Sequence, residues 1–306
     1  MARPLVSIVL PTFNRLALLP STVQTVMEQT VRDWELIIAD DGSDAPMLNY
    51  LTSLESDARV RVLRLSHSGN PGVPRNAGIA AARAPLVAFI DSDDLWAPHK
   101  LERQLAQLGT EPHCGWCYSA FVVVVDGNDV PPTWGRQRRI RHRGRIFAQT
   151  VRRTVPICTP SVVVRTELLA KVGAFDTAID VEEDYDLWMR LALESPVCVV
   201  DEPLVRVRRH PENLKRPLAA PYAARDYSFV KLLQALDGVD RKLVDEERSL
   251  NALTLAAATY SSGGRWRALA VLAKSTPFAW KYPRWWYGGT KAFARACLGR
   301  RPRHTA

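Results

Sequence analysis

Two runs of carboxylates stand where short apolar segments end, Asp40-Asp41-Gly42-Ser43-Asp44 and Asp91-Ser92-Asp93-Asp94. A third, Glu182-Glu183-Asp184, precedes an apolar helical pattern. A single acidic cluster at a strand end is commonly a turn or a helix cap. Two clusters on one edge crowd like charges, which is costly without a cation. Carboxylate oxygens are hard donors suited to Mg²⁺ or Mn²⁺, and such an ion neutralises phosphate charge. The sequence has no G-x-G-x-x-G after its first apolar run and no G-x-x-x-x-G-K-[ST] anywhere. The glycine-built phosphate cradles are therefore excluded, and phosphate bound here would depend on a metal for much of its charge balance.

The elements that must position these clusters alternate regularly. Apolar runs at Val6–Leu10, Glu35–Ala39, Val60–Leu65 and Leu86–Ile90 predict strands, and helical spacing covers Leu16–Glu28, Pro46–Leu54 and Gly72–Ala82. Runs without polar alternation fit a parallel sheet covered on both faces. The pattern predicts an α/β fold, a doubly wound and mostly parallel sheet with helices on both faces. Ligands of such folds bind beyond the C-terminal strand ends, where the first two acidic runs fall. A strand is predicted over Trp116–Val125, and the Arg-rich segment Pro131–Arg153 reads as a mobile loop or inserted hairpin. A strand at Ser161–Val164 and a helix at Thr166–Val172 follow, then a helix with Glu183 and Asp184 in its first turn. Acids there suit the helix dipole, yet three exceed what capping requires. Strands at Val197–Val200 and Leu204–Val207 then end in Arg208-Arg209-His210.

Six motifs lie in order over about residues 5 to 211: Ser7-Ile8-Val9-Leu10-Pro11-Thr12-Phe13-Asn14-Arg15, Asp40-Asp41-Gly42-Ser43, Arg75-Asn76-Ala77-Gly78, Asp91-Ser92-Asp93-Asp94, Glu183-Asp184 and Arg208-Arg209-His210. Together they resemble glycosyltransferase family 2, inverting enzymes of the GT-A fold that use nucleotide-sugars. The resemblance implies a catalytic domain over 1–214, with a nucleotide-sugar half over about 1–110 and an acceptor half over about 111–214. A helical appendage would occupy 215–306.

Carried over position by position, Phe13 with the backbone around Pro11 and Thr12 would pack on the nucleotide base. Asp41 would accept from a base N–H, usually that of uracil. Arg75 would lie near the nucleotide at its diphosphate, and Asp91 would approach the ribose. Asp93 would bind Mg²⁺ or Mn²⁺ bridging the diphosphate oxygens, with His210 as a further metal ligand. Asp184 would be the general base, and Glu183 and Asp94 would be acceptor-side or supporting neighbours. The run Val205-Arg206-Val207-Arg208 lacks the tyrosine often found before that arginine, a departure beside His210.

The implied reaction is inverting, metal-assisted transfer of a sugar from a nucleotide-sugar, UDP-sugars favoured. The acceptor would be a hydroxyl of a saccharide or lipid-linked saccharide in cell-surface glycan synthesis. One base carboxylate suffices for direct displacement. Two alternatives remain. A sugar nucleotidyltransferase usually needs a glycine-rich loop after its first strand, which Pro11-Thr12-Phe13-Asn14-Arg15 does not provide. An inactive nucleotide-sugar-binding scaffold fits poorly with both Asp93 and Asp184 present.

The net charge of +9 is uneven: Met1–Asp201 carries 21 Lys and Arg against 24 Asp and Glu, and the remainder 20 against 8. No nucleic-acid-binding module accompanies the charge, so nucleic acid is not an expected partner. Helical patterns at Tyr222–Leu236, Leu243–Tyr260 and Trp266–Lys274 lead to the aromatic, basic run Phe278–Tyr287. Such a run either packs internally or docks on an anionic membrane. With no long apolar stretch, the expected location is cytoplasmic, peripheral on the inner face of the membrane. Cys114-Gly115-Trp116-Cys117 lies in a predicted strand without a second pair and reads as buried, inert thiols.

Overall fold

The computed structural model describes residues 3–125, 128–130, 142–209, 217–262, 264–279 and 281–283. Backbone contacts group the chain into two compact units, Met1–Glu212 and Asn213–Ala306.

The first unit opens with β1 (Val6–Thr12), α1 (Leu19–Met27), β2 (Trp34–Asp40), α2 (Ala45–Leu54), β3 (Val60–Arg64), α3 (Gly72–Ala81) and β4 (Leu86–Phe89). It continues with β5 (Leu95–Trp96), α4 (Lys100–Thr110), β6 (Trp116–Val125), β7 (Asn128–Val130), α5 (Phe147–Val151), β8 (Val162–Arg165), α6 (Thr166–Val172), α7 (Glu183–Glu194) and β9 (Val197–Arg208). The sheet order is β3-β2-β1-β4-β8-β6-β9-β5, with β7 on β6. β3, β2, β1 and β4 are parallel, and β6 and β9 run the same way, whereas β8, β5 and β7 oppose them. The sheet is therefore mostly parallel, as the apolar runs predicted.

β1 and β2 are buried along nearly their whole length because helices cover both faces. Helix α3 crosses β1 so closely that a Cβ on Gly78 would lie 2.5 Å from a Val9 methyl. That approach requires glycine and sets the position of Arg75 on the same helix. Helix α1 starts three residues later than its apolar spacing suggested, with Pro20 in its first turn. Asp44 caps α2 by accepting from the Met47 N–H at 3.2 Å.

Two expectations are corrected. The Arg-rich segment is not all loop: Gly144 bridges Val197, and Phe147–Val151 forms α5, anchored by buried Ile146, Phe147 and Val151. The two strands expected at Val197–Val200 and Leu204–Val207 are one strand, β9. Its register against β6 shifts where Ser119, Ala120 and Phe121 face the segment around Pro203, which cannot donate to the ladder.

The second unit comprises α8 (Ala220–Leu233), α9 (Gly238–Ser261) and α10 (Arg265–Ala279), and α9 packs against both others. Phe229, Leu232, Val244, Leu253 and Ala256 are buried within it. From the aromatic run, Tyr282 is buried and donates to Asp245 at 2.9 Å, and Lys281 pairs with the same carboxylate at 2.6 Å. Tyr282 packs inward, whereas Lys281 is half exposed and Trp266 is 78% exposed. Trp280 and residues 284–287 of that run lie outside the described residues.

One buried group in the first unit was not foreseen. Lys100 is fully buried, donates to Gln104 Oε1 at 2.6 Å and lies 4.0 Å from the Trp96 ring centroid. Burial pushes its ammonium down to about 7. In the unfolded chain the amine keeps its proton to about pH 10.4, so between the two values the unfolded state binds more protons and stability rises with pH. Lys100→Met should flatten the rise above pH 7 and stabilise the protein there by on the order of 3 kcal/mol. Thermal melts of both proteins from pH 6.5 to 8.5 check this, and equal slopes would disprove it.

Candidate active site

The nucleotide-side residues meet at the C-terminal ends of β1 and β2. Pro11 pairs with Ala39 and Thr12 with Asp40 across the parallel ladder. Asp41, 5% exposed, follows directly and donates its N–H to Thr12 O at 2.9 Å. Phe13 projects from this edge, 39% exposed, and stacks on His67 with centroids 4.0 Å apart. Thr12 Oγ1 is buried and without a partner. Asp41 is held by the loop after β3: Ser68 N–H and Oγ–H reach Oδ1 at 2.9 and 2.8 Å, and Gly69 N–H reaches Oδ2 at 3.1 Å.

The acidic run after β4 is arranged by two arginines. Arg75, 6% exposed, donates Nη2 to Asp91 Oδ1 at 2.7 Å and Nη1 to Glu183 Oε1 at 2.5 Å. Burial opposes the Arg75 charge, but the two carboxylates outweigh it and hold the guanidinium protonated. Arg208, at the end of β9, donates its backbone N–H to Asp94 Oδ1 at 2.9 Å and its Nε to the Asp93 carbonyl. Its guanidinium also reaches Ser21 and Thr22 of α1. Asp94 is thus buried behind the run, whereas Asp93 is partly exposed. Burial, and next the Asp93 and Asp91 charges, raise Asp94 well above the carboxylate range. Burial also raises Asp91, with Arg75 opposing and Asp93 reinforcing.

These residues fit a hard divalent cation. The donors are oxygens only, their mutual repulsion is relieved by positive charge, and Mg²⁺ needs one or two carboxylates with phosphate and water. Asp91 and Asp93 are both partly exposed, whereas Asp94 is buried. Among the described residues, the one cluster mixing acid, imidazole and thiol is Glu111, His113 and Cys114, which precedes β6 at the opposite sheet edge. Cys114 there is fully buried and its thiol is pushed up to about 12. His210 lies outside the described residues.

Asp184 sits in the first turn of α7, beside Glu183. Its Oδ2 accepts from Thr159 Oγ1 at 3.2 Å and Oδ1 from the Tyr185 N–H at 2.8 Å. Burial, then the Glu183 charge, push its carboxyl up to about 7, against the pull of Arg75 and Arg153. Sequence reasoning missed Arg153, which pairs with Glu182 and lies 3.7 Å over the Tyr185 ring. Its position among many arginines gave no signal. It also missed His67, Thr159 and the anchoring role of Arg208. The structure therefore places Phe13, Asp41, Arg75, Asp91, Asp93, Asp94, Glu183 and Asp184 at strand and helix ends of one unit, with Arg75 tying Asp91 to Glu183.

The sequence model of glycosyl transferase family 2 matches residues 7–173, more than half of the chain. The O-antigen biosynthesis protein RfbC of Myxococcus xanthus is 30% identical over 215 residues, covering 67% of this chain and 16% of that protein. The Escherichia coli UDP-Glc:alpha-D-GlcNAc-diphosphoundecaprenol beta-1,3-glucosyltransferase WfgD is 25% identical over 198 residues, 64% of this chain and 73% of that protein. The matches span between 16% and 49% of the length of the first four curated relatives. Among solved structures, S. aureus TarS 1-349 in complex with UDP-GlcNAc shares the fold with a TM-score of 0.67 at 18% identity, covering 96% of this chain and 92% of that one. A Pyrobaculum calidifontis mannosyltransferase in complex with GDP-Man and Mn²⁺ has a TM-score of 0.59 at 18% identity, covering 98% and 89%. With its motifs in family order on a GT-A sheet and the family match covering β1 through α6, the chain belongs to glycosyl transferase family 2.

Proposed function

We propose that this protein is an inverting, metal-assisted glycosyltransferase that moves a sugar from a nucleotide-sugar, UDP-sugars favoured, to a hydroxyl of a saccharide or lipid-linked saccharide acceptor. The observation that carries the reading is a carboxyl at about 7, Asp184, joined through Glu183 and Arg75 to the acidic end of β4. A base poised near neutral pH accepts a hydroxyl proton as the new bond forms. Family membership and the E. coli relative that uses UDP-Glc and a diphosphoundecaprenol-linked sugar support the substrate class. The fold shared with a Mn²⁺-bound mannosyltransferase supports a divalent ion.

In this reading Phe13 stacks on the base, with Pro11 and Thr12 contributing backbone, and Asp41 accepts its N–H. Asp91 approaches the ribose, its orientation set by Arg75. Asp93 would hold Mg²⁺ or Mn²⁺, which when bound offsets the charge developing on the diphosphate leaving group. Asp94 keeps Asp93 in place through the turn that Arg208 ties to β9. Glu183 holds the first turn of α7 against Arg75, and Asp184 takes the acceptor proton. The nucleotide half would be about 1–110 and the acceptor half about 111–214. His210 is retained as a proposed further metal ligand.

A lipid-linked acceptor would place the protein at the inner face of the membrane. Exposed Trp266 and Leu269, in a region rich in Lys and Arg, are suited to an anionic surface. No helix among the described residues is long and apolar enough to cross a membrane.

Three outcomes are expected. Asp93→Asn should lower metal-dependent donor hydrolysis by about 100-fold or more, and should weaken UDP binding in the presence of Mn²⁺ but not in chelator. A variant that retains full turnover would remove Asp93 from the metal. The Asp184 carboxyl is protonated, and so inactive as a base, below about pH 7. Transfer measured as kcat/KM should therefore rise about tenfold per pH unit up to that value and level off above it. Asp184→Asn should abolish this limb and cost about 10²- to 10⁴-fold in kcat with donor affinity little changed; parallel collapse of donor affinity in a folded variant would make Asp184 a binding residue. Flotation should recover the full chain with anionic but not neutral vesicles, and the double variant Trp266→Ala with Leu269→Ala should abolish it. Equal recovery of both forms in the soluble fraction would reject membrane docking.

A further inference from the structure

We propose that His67 makes the two contacts expected of the nucleobase, and that a base enters this site by displacing it. The proposal rests on the nucleotide-sugar reading of the site and names a residue that sets its affinity for a base.

The first contact is the stack. The His67 and Phe13 rings are 4.0 Å apart at 19°. Rings this close touch, so no third ring fits between them. The face of Phe13 toward His67 becomes available to a base only when the imidazole swings away.

The second contact is Asp41. A carboxylate offers about four lone-pair directions. Two on Oδ1 receive the Ser68 N–H and hydroxyl. On Oδ2, one receives the Gly69 N–H, and His67 Nδ1 lies 3.0 Å away. Nδ1 also lies 2.9 Å from the Asp41 carbonyl oxygen. Nδ1 carries one hydrogen and its hydrogen bond is with the carbonyl, so the imidazole stands in front of the fourth direction on Oδ2 rather than filling it, and a base N–H reaches that oxygen only when the ring leaves.

His67 is able to do so. Its side chain is 50% exposed and moves by rotation about its own bonds. The Ser68 and Gly69 amides belong to a backbone pressed against Gly42, where a Cβ would meet His67 N at 2.8 Å and Cα at 3.2 Å. Gly42, at φ 82°, thus lets this loop lie on the end of β2. The amides stay, and the imidazole exchanges. A base bearing an imide N–H, such as uracil, replaces the stack and can donate to the Asp41 oxygen that the imidazole stood against. Adenine also replaces the stack but presents its N–H from an exocyclic amine rather than a ring imide, and the cost of displacing His67 is common to both bases.

The test is calorimetry of UDP, ADP and inorganic pyrophosphate, each with Mg²⁺, on the parent, His67→Ala and His67→Phe. Loss of one stack and one hydrogen bond as competitors should tighten UDP binding by roughly three- to thirtyfold in His67→Ala. His67→Phe keeps a ring but no donor and should fall between, and it serves if the alanine variant does not fold. Pyrophosphate affinity should not change, and ADP binding should tighten by about the same factor as UDP binding, which leaves the preference between them unchanged. Unchanged or weaker UDP binding in His67→Ala would overturn the proposal and make the imidazole a fixed wall. A parallel change for pyrophosphate would also overturn it, since the effect would not lie at the base. If the parent binds UDP no better than pyrophosphate, the nucleotide reading itself fails and takes the proposal with it.

Discussion

Arg75 is 6% exposed, and its guanidinium spans from Asp91 after β4 to Glu183 at the start of α7. A charge so buried is tolerated only with opposite charge and good geometry, and removing one partner leaves the others uncompensated. This makes the bridge a constraint rather than an ornament. The strand end that carries Asp93 and the helix turn that carries Asp184 cannot shift independently while it holds. Gly78 allows α3 to press on β1, which fixes where Arg75 begins. Arg208 provides a second tie, joining Asp93, Asp94 and α1 to the end of β9.

The backbone near the site carries positive φ at non-glycine residues. Among the described residues these are Asn14, Arg153 and Glu182. Such conformations cost on the order of 1 kcal/mol or more each and persist when their surroundings over-determine them. Asn14 is held by Ser43 Oγ and by accepting the Asp44 N–H at 2.9 Å. Arg153 and Glu182 hold one another, and Glu182 directly precedes the turn that presents Asp184. The left-handed turn at Glu182 starts α7 at Glu183, so the two acids that follow enter the helix facing different partners: Arg75 for one, Thr159 for the other.

Polar groups at the other sheet edge are built differently. Glu35, 2% exposed, accepts from Ser7, Arg83 and Arg61. Burial raises its carboxyl, but these hydrogen bonds outweigh that and hold it below its ordinary value. Near it Arg3, Arg32, Arg59 and Arg83 line a cleft, each already donating to a carbonyl or carboxylate. That edge has its charges satisfied internally, whereas Asp91, Asp94 and Asp184 are raised by burial and crowding. The contrast in electrostatics separates the chemical edge from the structural one.

The α/β class, the parallel order of the first strands and the clustering of Asp41, Asp91 and Asp93 at one edge followed from sequence alone. Apolar runs without alternation demand cover on both faces, and parallel strands deliver their C-terminal ends to one side. The burial of Cys114 and Cys117 was legible for the same reason. Other features depended on residues distant in the chain. Helix α5 forms within an arginine-rich stretch because Ile146, Phe147 and Val151 find buried partners. Lys100 looks like a surface residue until the groups around it remove water. Nothing local to Arg75 specifies that Glu183, 108 positions away, will share its guanidinium. Nor does the segment after β3 announce that His67 will lie on Phe13 and against Asp41. Those facts are set by long-range closure of the chain, because ion pairs, ring stacks and pKa shifts depend on distance and burial in space rather than on spacing along the sequence.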